Sequence, residues 1–68
     1  MSTELDSKTN GCYNITATRF AGRNGLMCQL TVTDGADWMC VALHKAQVIA
    51  MCENIIKGMK EFDNATDG

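Results

Sequence analysis

No apolar run in this chain approaches the roughly 18 residues needed to span a bilayer, so no membrane span is expected. The first ten residues, Met-Ser-Thr-Glu-Leu-Asp-Ser-Lys-Thr-Asn, are polar and acidic and have none of the features of a secretory signal; a cytoplasmic location is expected. Charge of either sign is scarce where it would matter. Between Gly11 and Phe62 the cations are Arg19, Arg23, Lys45, Lys57 and Lys60 and the acids Asp34, Asp37, Glu53 and Glu61, a balance of +1, so the acidity behind the overall charge of −2 sits in the two ends. A near-neutral centre gives no general electrostatic reason to bind nucleic acid, and it is too weakly acidic to mimic DNA.

Catalytic groups are equally scarce. The one histidine, His44, lies four residues from Cys40 on an extended segment, about 13 Å along a strand and too far for a Cys-His pair. There is no Gly-rich phosphate cradle and no carboxylate cluster; Asp34 and Asp37 flank a turn and suit Asx-type turn roles. The chain is therefore not expected to be an enzyme or to carry a cofactor. Cys12, Cys28, Cys40 and Cys52 could in number ligate zinc, but structural zinc sites draw on close pairs, and these are separated by sixteen, twelve and twelve residues. Buried free thiols without metal are the expectation. Asn14-Ile-Thr16 and Asn64-Ala-Thr66 match the N-glycosylation pattern, which has no use without secretion.

What is present is a clear change of period. Tyr13, Ile15 and Ala17 alternate with Asn14, Thr16 and Thr18, and Leu26, Cys28, Leu30 and Val32 with Met27, Gln29, Thr31 and Thr33; both patterns predict strands. Asn24-Gly25, which suits positive backbone φ, and Asp34-Gly35 supply reversals. Trp38 to Leu43 forms a third strand, after which the period becomes helical: Val48, Cys52, Ile55, Met59 and Phe62, widened by Ile49, Met51 and Ile56. With His44 as N-cap, Leu43 and Val48 occupy the staple positions and Gln47 the capping-box position. Gly58 weakens the helix interior and invites fraying of the last turn. The expected fold is α+β: a three-stranded antiparallel meander with one carboxy-terminal amphipathic helix packed on one face, spanning 11–62, with flexible tails at 1–10 and 63–68. At 68 residues such a domain buries only about 60% of its unfolded surface and is marginal unless something helps.

The staple orients the third strand. If Leu43 packs under the helix start, Met39 and Val41 share its face, and Trp38, Cys40 and Ala42 point away from the helix. That outer face would carry Trp38, Cys40, Met27 and Phe20 among threonines, more apolar than a solvent face should be. A register slip that tucks Trp38 into the edge of the core is the alternative. A broad helix stripe also exceeds what three strands can cover, and a homodimer or a host protein would bury the excess.

Arg19-Phe20-Ala21-Gly22-Arg23 places two arginines and an aromatic on a hairpin tip, where they would contact an acidic protein or a single nucleic-acid strand. A sheet whose last strand ends in Leu43 before a Gln47-containing helix loosely resembles the strand-strand-helix order of single-strand-binding transcriptional coactivators. That family's lysine-rich strands, and one of its strands, are missing here. The function expected is non-catalytic protein binding, as an inhibitor, adaptor or regulatory protein of the kind phages and mobile elements encode. Its binding residues would be Trp38, Cys40, Met27, Phe20, Arg19 and Arg23. The rival is single-stranded nucleic-acid binding through Arg19 and Arg23.

Overall fold

A computed structural model describes the backbone of residues 2–67 and the side chains of residues 2–62. Four strands, β1 (Thr3–Asn10), β2 (Tyr13–Gly22), β3 (Gly25–Thr33) and β4 (Trp38–His44), pair antiparallel in the order β1-β2-β3-β4, and α1 (Lys45–Asp67) follows directly. The α+β class, the meander and the carboxy-terminal helix are as expected, but the sheet has four strands, not three. The extra strand is the segment expected to be a tail at 1–10. Its eight residues hold one large apolar side chain, Leu5, so no alternation marks it; pairing with β2 makes it a strand. The register slips at Leu5, between Glu4 and Asp6, an edge bulge of the sort that blunts exposed strands.

The reversals follow their glycines. Gly11, Gly25 and Gly35 have φ of 64°, 112° and 96°, while no non-glycine among the described residues takes positive φ, so Asn24 does not share that role with Gly25. In the last turn the Asp34 carboxylate accepts from the Ala36 and Asp37 amides at 2.9 and 2.8 Å. Those backbone bonds, that to Asp37 first, hold its carboxyl below the usual carboxylate range. Asp37 joins the turn through its carbonyl, which accepts from Thr33 Oγ1 at 2.8 Å.

At the handover the His44 amide donates to Gln47 Oε1 at 3.0 Å, the reciprocal arm of a capping box. Leu43 is the one residue of β4, and Val48 the one described residue of α1, that is not exposed. The helix continues through Gly58 to Asp67. The side chains of the tail expected at 63–68 lie outside the described residues, as does all of Gly68.

Beyond its first turns, however, α1 is scarcely covered. Ile55 is 54% exposed and Met59 65%, where the periodicity placed them in a core, and Cys52 is exposed. Cys28, 6% exposed, is the one buried apolar residue among those described. The radius of gyration is 14.6 Å, against about 11 Å for a compact domain of this length.

Candidate functional site: two faces of one sheet

The pairing fixes the side-chain grid, because residues directly opposite share a face. On the helix side the rows are Met39–Val32–Ile15–Lys8, Val41–Leu30–Ala17–Asp6 and Leu43–Cys28–Arg19–Thr3. On the far side they are Trp38–Thr33–Asn14–Thr9, Cys40–Thr31–Thr16–Ser7, Ala42–Gln29–Thr18–Glu4 and His44–Met27–Phe20.

Apart from Glu4 at its β1 edge, the far face is polar without acids or strong bases, and much of it is hydrogen-bonded. Asn14 Nδ2 donates to Ser7 Oγ and Thr9 Oγ1, each at 3.0 Å, and Thr16 Oγ1 donates to Asn14 Oδ1 at 2.8 Å. Gln29 Nε2 donates to Thr31 Oγ1 at 3.3 Å. Asn14, Thr16, Thr18, Gln29, Thr31 and Thr33 are all half-buried.

The apolar residues expected on this face are there, but they do not form one patch. Phe20 and Met27 are paired and converge over Gly22, where an added Cβ would lie 3.0 Å from Met27 Cγ and 3.7 Å from Phe20. Trp38 and Cys40 sit toward the other end, opposite Thr33 and Thr31. Six positions separate Thr33 from Met27, about 20 Å along the strand. The β3–β4 pairing has no bulge, so the slip that would tuck Trp38 inward is absent, and Trp38 is 70% exposed. Beside it lies a shallow hollow of about 190 Å³ lined by Tyr13, Met39, Asp34 and Asp37, among others.

The hairpin residues are likewise divided. Arg19 lies opposite Cys28, on the helix side, while its neighbour Phe20 is on the far face and Arg23 is at the turn. Strand alternation thus prevents Arg19 and Phe20 from gripping the same strand of nucleic acid from one face. Cys40 and His44 occupy one strand, two rows apart, so they are not brought together. Cys12, Cys28, Cys40 and Cys52 are free thiols, and Cys28 alone is buried. No group of three or more metal-ligating side chains occurs among the described residues, and no helix among them is long and apolar enough to cross a membrane.

The helix-side face holds what sequence patterning left unassigned: an open apolar groove of about 480 Å³ between sheet and helix. Leu5, Leu26, Leu30, Val48, Ile49 and Ile56 are among its walls. Leu5 was hidden in the unpatterned first strand; the neighbouring Asn10-Gly11 turn signal was the clue to that strand. No family model, curated protein or solved structure matches the chain.

Proposed function

We propose that this chain is a non-catalytic binding module, an inhibitor, adaptor or regulatory protein that acts on a larger complex, of the kind phages and mobile elements direct at a host. A reducing, cytoplasmic setting suits its free thiols. The observation that carries the reading is Trp38: a large amphipathic ring, mostly exposed, on a face where Ser7, Thr9, Asn14 and Thr16 bond one another and Gln29 bonds Thr31. Tryptophan is enriched among residues that dominate binding energy. Asp34 and Asp37, on the wall of the adjoining hollow, give this end of the sheet an acidic border. A partner segment offering an apolar contact and a cation matches that chemistry; a nucleic-acid strand with a base stacked on Trp38 would bring its phosphates toward two carboxylates.

Single-stranded nucleic-acid binding is the second reading, and β1 favours it by supplying the strand that the coactivator resemblance lacked. Its electrostatics remain poor: Arg19 and Phe20 occupy opposite faces, and the far-face rows contain no arginine or lysine. The deciding experiment combines capture of a partner from native host extract with a salt titration of oligonucleotide binding. Trp38→Ser should keep the fold and weaken the captured complex by at least about 2 kcal/mol. Sub-micromolar single-strand binding at physiological salt, falling steeply with salt and lost in the Arg19→Glu, Arg23→Glu double variant, would overturn the first reading in favour of the second.

A further inference from the structure

The apolar face of this sheet is less well covered than its polar face. Tyr13, Ile15, Val32, Met39 and Val41 are exposed, while the threonines and amides behind them are half-buried. Folding that stopped here would invert the usual arrangement, in which apolar burial supplies the driving force.

The deficit has a size. A compact monomer of 7.4 kDa exposes about 4,200 Å², whereas this chain exposes 5610 Å², an excess of about 1,400 Å². Removing that excess from two copies would bury about 2,800 Å² in total, within the range of obligate homodimers and well above crystal-type contacts.

The uncovered surfaces are also each other's missing halves. The rows Met39–Val32–Ile15 and Val41–Leu30–Ala17 form a sheet face without a full helix over it, and Ile55 and Met59 lie on a helix without a sheet beneath them. An unrelated partner would have to bring both a sheet and a helix in the right places. A second copy related by a two-fold axis brings both at once and closes, leaving no surface for a third. The β1 end of that face is edged by the Lys8–Asp6 ion pair at 3.1 Å, which forms a polar rim.

We infer that the functional unit is a two-fold dimer in which the later turns of α1 from each copy cover the helix-side sheet face of the other. The interface lies on the side of the sheet opposite Trp38 but shares Val32 and Met39 with the wall of the hollow beside that ring, so Trp38→Ser, a change on the far face, is the variant that separates the two assignments.

Sedimentation equilibrium and native mass spectrometry of the full chain, over a hundredfold range of concentration, test it. The expected species has twice the 7.4 kDa chain mass, and its unfolding midpoint rises with concentration. Val41→Glu and Met59→Lys should each weaken dimerisation at least tenfold. Their equimolar mixture should recover a heterodimer, because one sheet–helix contact is then wild type and the other pairs Glu with Lys. Trp38→Ser should leave the dimer intact. A folded monomer with a concentration-independent midpoint, open-ended larger assemblies, a wild-type chain that is unfolded alone, a mixture that fails to recover, or dissociation by Trp38→Ser would each overturn the inference.

Discussion

The two faces of the sheet are made from the same strands and differ in what completes them. The far face is finished locally: Ser7, Asn14 and Thr16 bond one another across a single pair of strands, and Gln29 bonds Thr31 within one strand. The helix-side face is completed only where β4 turns into α1, around Cys28, Leu43 and Val48. Short-range polar bonding needs only a neighbour, whereas apolar burial needs a second layer of matching extent. A chain with one helix and four strands supplies too little of that layer by itself.

Ile55→Ala should have the largest effect and gives the strongest test of that contrast. If the second copy covers the stripe, the variant should lose about 2–5 kcal/mol of stability, as for a buried aliphatic, and Lys57→Ala should be nearly silent. Equal denaturation midpoints for the two variants would mean that the stripe stays exposed and the helix phase is wrong. On the other face, Thr16→Val removes hydroxyl bonds to Ser7 and Asn14 without changing size. A loss of about 1 kcal/mol at every protein concentration is expected in chemical denaturation. A concentration-dependent loss there would place the interface on the wrong face.

The handover between the faces is tested by Gln47→Ala. The His44 amide then loses its acceptor, and a cost of about 0.5–1 kcal/mol with reduced helicity by circular dichroism is expected. The smallest effect belongs to Asp34, at the turn that carries β3 into β4. Its folded carboxyl titrates below the ordinary range because two amides bond the charged form. A depressed folded value adds stability that is present above the unfolded pKa and lost as pH falls through the folded one. Carbon-detected NMR titration should place its midpoint below those of freely solvated carboxylates in the same protein. An Asp34 midpoint among those of solvated side chains would mean that the turn is not held by this carboxylate.

Much of this was legible in residues. Period-two runs marked β2 and β3, and the Leu43–Val48 staple with Gln47 marked both the helix start and the face of β4. That face turned Trp38 outward unless the register slipped, and the bulge-free β3–β4 pairing removed that alternative. β1 was not legible, because Thr-Glu-Leu-Asp-Ser-Lys-Thr-Asn has no apolar alternation and its pairing is carried by backbone groups that every sequence shares. The hairpin at Arg19 was legible as a turn but not as a site, since whether neighbouring side chains converge depends on where the strand ends. β2 runs to Gly22, and that extension sends Arg19 and Phe20 to opposite faces.

Local chemistry in the chain thus determined β2, β3, β4, the helix and their facing, because caps, turns and alternation act over a few residues, whereas β1 is a strand only through its pairing with β2. The tertiary structure alone decided how far those faces are covered. Coverage depends on the extent and tilt of one layer against another, and no periodicity in a sequence records the path of a helix once it has left the strand that launched it.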